Sequence, residues 1–230
     1  MTHLPIKSIP ICTDASDVIL AMIQSRMQVT DGFLPIVTFN ITMFGAHSTT
    51  LLQWLKQRAI FTPDGIGISI LALLYHTQWI PRYPGIDMVN DILKKTDSVF
   101  RVALIGATDE ALNGAKKWVE SFGHEVVFSA NGFQPMSQSQ FDTLADLSPQ
   151  LILVAKGCPL QDQLIYELSH HLKAGVAIGV GGAFDVWSGL VKRAPNIIQL
   201  LGLEWFYRLI NQPQRSRRLF RSLLWLFRHE

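Results

Sequence analysis

"VFRVALIGATDEALNGAKKWVESFGHEVVFSA", residues 99–130, decides the fold. Its apolar run from 102 to 105 is unbroken and ends at a glycine, which reads as a strand buried on both faces. "TDEALNGAKKWVESFG" then shows the apolar spacing of a helix and stops at Gly123. "HEVVFSA" begins a second strand. A strand, a crossover helix and another strand give a parallel pair, because a short hairpin cannot join parallel neighbours. The rhythm continues. "SQSQFDTLADLS" (137–148) reads as a helix, "PQLILVAKG" (149–157) as a strand, "LQDQLIYELSHHLK" (160–173) as a helix and "AGVAIGVGG" (174–182) as a strand. Upstream, "ASDVILAMIQSRM" (15–27) reads as a helix that Thr13 and Asp14 can cap, "LPIVTFN" (34–40) as a strand and "STTLLQWLKQRA" (48–59) as a helix. The expected fold is α/β, a Rossmann-like parallel sheet covered by helices on both faces.

Composition agrees with a packed domain. Of 230 residues, 48% are hydrophobic and 17% charged, the opposite of a disordered balance. Cys12 and Cys158 make no disulfide framework, and the first residues lack the apolar segment of a signal peptide, so a reducing, cytoplasmic location is expected. The longest apolar candidate, "GIGISILALLY" (65–75), falls short of the roughly 18 residues of a membrane span.

The net charge of +2 conceals an asymmetry: residues 192–230 carry eight Lys/Arg and two acids, or +6, which leaves −4 for residues 1–191. We therefore expect an α/β core over 1–191 and a basic C-terminal helical appendage over 192–230. In "QRSRRLFRSLLWLFRHE" (214–230), Leu219, Leu223 and Phe227 share one helical stripe with Phe220 and Leu224 beside it, and Arg217, Arg221 and Arg228 fall on another. Such a helix suits an anionic membrane surface, although a core-packing helix with a solvated cationic face has the same pattern. Nucleic acid fits less well, because the bulky apolar residues need burial.

In a parallel α/β sheet, ligands sit beyond the carboxyl ends of the strands. Those ends here are "TFN" (38–40), "GAT" (106–108), "KGC" (156–158) and "GGAFD" (181–185). No Walker A loop, G-x-G-x-x-G, D-x-D, H-E-x-x-H or G-x-S-x-G occurs, so motif supports neither a metal hydrolase nor a common nucleotide fold. A nicotinamide-dependent enzyme would also lack its dinucleotide fingerprint. "TPDGIG" (62–67) is turn chemistry, or else it offers a loop carboxylate as a general base. "VTFN" (37–40) either caps the next element or donates hydrogen bonds to a sugar or a uracil. "GVGGAFD" (179–185) is a close strand approach with a cap at Asp185, or a backbone that a ligand can approach.

Taken together, these pieces resemble the WecG/TagA/CpsF glycosyltransferases (glycosyltransferase family 26). The resemblance rests on "GVGGAFDVWSGLVKRAPNIIQLLGLEWFYRL" (179–209), with "TFN", "PDGIG", "RYPGIDM" (82–88) and "ANGFQ" (130–134) in order upstream, and it covers about residues 9–228. It implies an inverting hexosyltransferase that needs no metal or cofactor. Such an enzyme moves a sugar, of N-acetylmannosamine or glucose type, from a UDP-sugar to a polyprenyl-diphosphate-linked sugar in the synthesis of cell-surface polysaccharide. It implies peripheral placement on the cytoplasmic face of the inner membrane and leaves homo-oligomerisation open. Carried across, Asp64 is the general base and Thr38 orients donor or acceptor. Asn40 lines the nucleotide pocket, with Gly106, Gln161, Gly181, Gly182 and Asp185 beside the donor. Arg215, Arg217, Arg218 and Arg221 are candidates to neutralise diphosphate. The chain departs from the family's G-x-P-K-Q-E segment, which here is "GCPLQDQ" with Leu160 and Asp162. Those departures motivate an alternative: a non-catalytic relative that holds a lipid-linked saccharide or a partner transferase.

Overall fold

The computed structural model of the protein describes residues 1–211 and 216–228, with the backbone alone at 208, 211, 227 and 228. Eight strands form one sheet: β1 (His3–Ile6), β2 (Ile9–Cys12), β3 (Gly32–Phe39), β4 (Ile60–Pro63), β5 (Arg101–Gly106), β6 (Glu125–Ala130), β7 (Leu151–Ala155) and β8 (Ala174–Gly179). Their order across the sheet is β1-β2-β4-β3-β8-β7-β5-β6. All neighbours are parallel except the β1–β2 hairpin at one edge.

The expected helices form where their caps stand. α1 (Ser16–Met27) and α2 (Thr49–Arg58) precede and follow β3, and the Ser48 hydroxyl accepts the Leu51 N–H at the start of α2. α3 (Ile66–His76) and α4 (Gly85–Lys94) lead into β5. α5 (Asp109–Glu120) starts at Thr108, and α6 (Gln138–Leu147) starts with a capping box between Ser137 and Gln140. α7 (Leu160–His171) joins β7 to β8.

Alternate strand residues feed opposite layers. Val102, Leu104, Leu151, Leu153, Val176 and Ile178 pack with α1, α4 and α5, while Ala103, Ile105, Ile152, Val154 and Ala177 pack with α6 and α7. The second layer continues under α2 and α3 around Phe39, Phe61 and Phe44. A sheet covered on both faces is what unbroken apolar strands require, because neither face can meet water.

The hairpin carried no turn signal: Lys7 and Ser8 both adopt positive φ (47° and 64°), where Gly or Asn is usual. β4 is four residues long and ends in the proline of "TPDG", so its strand character was hidden in turn chemistry.

The C-terminal segment folds into α8 (Ala183–Trp187), α9 (Asn196–Leu200), α10 (Glu204–Asn211) and α11 (Ser216–Arg228). One side of α11 is built into the domain. The Ser222 hydroxyl reaches the carbonyls of Thr42 (2.9 Å) and Phe44 (3.1 Å), and Trp225 stacks on Phe44 at 5.6 Å. Gly45 allows this approach, since a Cβ there would lie 2.5 Å from the indole. Leu226 joins the core beside Phe44. Of the apolar stripe expected to face a membrane, Leu223 packs against this core, while Phe220 and Leu224 beside the stripe are exposed. Arg215 lies outside the described residues, as do the side chains of Phe227 and Arg228. Among the described residues no helix is long and apolar enough to cross a membrane.

Phe44 is 2% exposed and edge-on to Phe39 at 5.0 Å. Phe44→Ala is expected to cost about 3–5 kcal/mol in denaturant unfolding, with α11 cut by trypsin before the sheet unfolds.

Candidate active site

Three adjacent strands, β4, β3 and β8, end side by side. Thr38 pairs with Thr62, Phe39 with Pro63 and Val37 with Gly179, so each strand delivers its next residues to the same rim. The Asp64 N–H donates to the Phe39 carbonyl at 2.8 Å and carries the pairing one residue further. A cavity of about 400 Å³ opens above this rim, lined among others by Thr38, Asn40, Thr42, Asp64, Arg82, Val180, Ala183 and Glu204.

Asn40 organises the floor. Its carbonyl oxygen accepts the Thr42 N–H (3.1 Å) and hydroxyl (2.7 Å), which turns its amide nitrogen to donate to Asp64 Oδ2 at 3.3 Å. Gly65 follows with φ of 91°, a backbone that L side chains avoid. "PDG" is therefore a turn and also a presented carboxylate.

Thr38 is committed. Its hydroxyl donates to the Gly179 carbonyl at 2.9 Å, so toward a ligand only its lone pairs remain. Gly85 packs over it, where a Cβ would lie 2.8 Å from the threonine methyl.

The loop before α4 supplies the next wall. The Tyr83 N–H donates to Pro63 (2.7 Å), and its phenol donates to Asp91 at 3.1 Å. Burial, reinforced by the Asp91 carboxylate, holds that phenol well above the usual tyrosine range. Arg82 precedes it, lines the cavity and is tied by its guanidinium to the Gln199 carbonyl.

Arg193 locks this wall to the C-terminal segment. It grips Asp87 of α4 with both terminal nitrogens (2.5 and 2.8 Å) and reaches Glu204 of α10 at 3.6 Å. Burial opposes its charge, but the bonds to Asp87 and the nearby Glu204 prevail and raise its affinity for its proton.

The remaining residues expected in the site divide. Gly181 and Gly182 lie between the cavity residues Val180 and Ala183, and Asp185 follows in α8. Gly181 has φ of 55° with open space where a Cβ would point. Gln161 is buried beneath this turn: its side-chain oxygen accepts the Gly181 N–H at 3.0 Å, and its amide leaves no room for a Cβ at Gly179. Gly106 sits two strands away, where a Cβ would lie 2.4 Å from the Ala155 carbonyl oxygen, so packing alone demands glycine there. Arg217 and Arg221 border a separate groove of about 660 Å³ beside Gly45 and Trp225. Arg217, Arg218 and Arg221 are all exposed, while Leu219 and Leu223 of the same helix turn to the cavity.

Arg82, Glu204 and Trp205 line the cavity but are absent from the expected set. "RYPGIDM" and "GLEWFYRL" carried the signal as motifs without saying which residue faces inward.

A polar rim at the strand ends of a parallel α/β sheet, with a carboxylate oriented by an amide beneath a mostly apolar cavity, stands where such sheets hold their ligands. The chain belongs to the glycosyl transferase WecG/TagA/CpsF family, whose description matches residues 4–229. Two relatives bear the name N-acetylglucosaminyldiphosphoundecaprenol N-acetyl-beta-D-mannosaminyltransferase. The chain is 34% identical to the Bacillus spizizenii protein over 168 residues, which is 72% of this chain and 65% of the relative. It is 34% identical to the Bacillus subtilis protein over 171 residues, 72% of this chain and 66% of the relative. The chain thus matches across about two thirds of the relatives' length, 65% and 66%.

Arg193→Met removes the tie between two cavity walls and takes the bidentate partner from Asp87. Its denaturant midpoint is expected to fall by the equivalent of about 1–2 kcal/mol, less than a fully buried pair would lose because Asp87 is 40% exposed.

Proposed function

We propose that the protein is an inverting glycosyltransferase that transfers a hexosamine-type sugar from a nucleoside-diphosphate donor to a polyprenyl-diphosphate-linked sugar. The observation that carries this reading is Asp64, held by Asn40 at the base of the cavity. Inversion is one in-line displacement. The acceptor oxygen forms a bond to the anomeric carbon as the bond to the donor diphosphate breaks. The acceptor proton passes to Asp64, and the bonding pair leaves with the nucleoside diphosphate. No catalytic metal is invoked, so cationic side chains must offset the leaving charge. Arg82 is placed to do so from the cavity wall, with bidentate geometry suited to phosphate. Thr38 then acts by fixing the β3–β8 rim and by accepting from substrate, and the Gly181–Gly182 turn gives the donor close access to backbone.

The names of the two relatives support the acceptor class and an N-acetylmannosamine donor. Trp205, Leu209, Leu219 and Leu223 give the cavity an apolar wall suited to the first isoprene units beside the diphosphate. Residues 192–230 form the working appendage in this reading, and residues 1–191 the catalytic core. The appendage exposes apolar and basic groups: Ile197 is 71% and Leu200 82% exposed on α9, and on α11 Phe220 is 66% exposed among Arg217, Arg218 and Arg221. It suits peripheral docking on an anionic leaflet, which we place on the cytoplasmic side. The non-catalytic alternative rested on Leu160 and Asp162. Leu160 points to solvent and Asp162 is fully buried, and neither lines the cavity, which favours catalysis.

Purified protein given UDP-N-acetylmannosamine and a polyprenyl-diphosphate-GlcNAc should release UDP and elongate the lipid in the presence of a chelator. Asp64→Ala should lower turnover about 10²–10⁴-fold with unchanged circular dichroism. Near-wild-type turnover in this variant would remove the base assignment, and lipid binding without turnover in the wild type would favour the holding role.

The double variant Arg217→Ala, Arg221→Ala should bind phosphatidylglycerol vesicles about thirtyfold more weakly at low salt, from about 1 kcal/mol per basic residue. Equal binding would exclude the α11 outer face as the docking surface.

A further inference from the structure

His47, Cys158 and Asp162 meet away from the cavity, and the reaction proposed above uses none of them. His47 precedes α2 in the turn that follows β3. Cys158 stands in the β7–α7 turn, and Asp162 lies in the first turn of α7. The three ligand-type atoms all lie within 4.8 Å of one another. His47 Nε2 faces both partners, Asp162 Oδ2 at 2.8 Å and Cys158 Sγ at 3.6 Å. The imidazole and the carboxylate are almost sealed, with side chains 2% and 0% exposed. The second carboxylate oxygen, Oδ1, is buried without any hydrogen-bond partner.

That orphan oxygen is costly, because a buried polar atom normally finds a partner. His47 Nε2 also stands within reach of both other side chains, so the three ligand-type atoms converge on one point. A hydrogen-bonded cluster therefore leaves the buried carboxylate under-satisfied, and a cation beside it would offset that cost.

We propose that His47, Cys158 and Asp162 form a binding site for a zinc-class divalent cation. One thiolate, one imidazole and one carboxylate is a donor set that excludes calcium and magnesium and suits zinc or cobalt(II). Zinc–sulfur and zinc–nitrogen bonds of about 2.3 and 2.0–2.1 Å at a tetrahedral angle separate the two ligand atoms by about 3.6 Å. The observed 3.6 Å between Sγ and Nε2 fits without movement. The nitrogen–oxygen pair is at hydrogen-bond length, 2.8 Å, and opens by about 0.6 Å when a metal replaces the shared proton. The cation displaces the thiol proton and that shared proton, and the thiolate and carboxylate charges balance its own. With three protein ligands the fourth position goes to water.

Lying outside the cavity, the site would act on the chain's stability and not on substrate. It would staple the turn after β3, which carries Asn40 and Thr42, to the start of α7, which carries Gln161 beneath the Gly181 turn. Its test reads metal and stability, so its outcome is separate from any transferase assay.

The full chain, stripped with a chelator and dialysed, is titrated with Co²⁺. We expect one cobalt per chain, intense tetrahedral visible bands and a near-ultraviolet sulfur-to-cobalt charge-transfer band. Zn²⁺ should displace it. At hundredfold excess over Kd, Zn²⁺ should raise Tm by about 5–10 °C. Cys158→Ser should lose the charge-transfer band, and Asp162→Asn should weaken binding about tenfold or more, each with wild-type far-ultraviolet circular dichroism. If Asp162→Asn does not fold, the Cys158→Ser spectrum decides alone. No cobalt band in the wild type, or equal binding in Cys158→Ser, overturns the site and leaves a hydrogen-bonded cluster.

Discussion

The pairing of β3 with β8 is the constraint on which the rest of the molecule depends. Six registered pairs, from Gly32–Ala174 to Val37–Gly179, join segments about 140 residues apart. The Thr38 hydroxyl closes the seam on the Gly179 carbonyl. Left of this seam lie β4 and the N-terminal hairpin, and right of it the strand–helix repeats. Neither half alone has a complete rim. Only with β4, β3 and β8 as neighbours do Asp64, Asn40, Val180 and Ala183 come to line one cavity. Loop-closure entropy opposes so distant a contact, so burial on both faces of the seam has to outweigh it. Ile36, Val37, Val176, Ala177 and Ile178 are all fully buried there.

Much of this was legible. From Phe100 to Gly182 each strand and helix of the repeat stands where hydrophobic period and caps put it, since local signals and tertiary demands agree. The N-terminal half was harder. β2 is four residues long and pairs with β4 through a single registered pair, Ile11–Phe61, too short for periodicity to register. α4 has a clear apolar face but begins at Gly85 after Pro84, where turn residues mask a helix start. In the site, Asp64, Asn40 and Thr38 were readable because a strand end fixes which residues reach the rim. Arg82 and Glu204 were not, because whether a loop or terminal-helix side chain turns inward depends on packing that no local pattern encodes. The reading also ran the other way. Gly106 and Gln161 looked like ligand residues, and the structure gives each a packing reason of its own.

The departures at "GCPLQDQ" gain a physical account from their surroundings. Leu160 stands at the exposed start of α7 and costs the site nothing. Asp162 turns into the protein toward His47 and Cys158. The change to aspartate, which looked like a loss around a donor, belongs instead to the polar interior between the β3 and β7 turns. Gln161, which stands between Leu160 and Asp162 in sequence, is the one that reaches the rim, through the Gly181 N–H.

α11 is one rigid body with two surfaces. Leu219 and Leu223 form part of the cavity wall, and two residues earlier along the same turns Arg217 and Arg221 border the outer groove. Ser222 and Trp225 fix the helix to the turn that begins at Asn40. Nothing can shift the outer face without redrawing the wall. Any surface that prefers one seat of this helix therefore changes the cavity's affinity for its occupant, and the occupant changes the helix's affinity for that surface by the same factor. With the proposed substrate in the cavity and the proposed surface at the outer face, each would act as the other's effector, with a single helix as the shared variable.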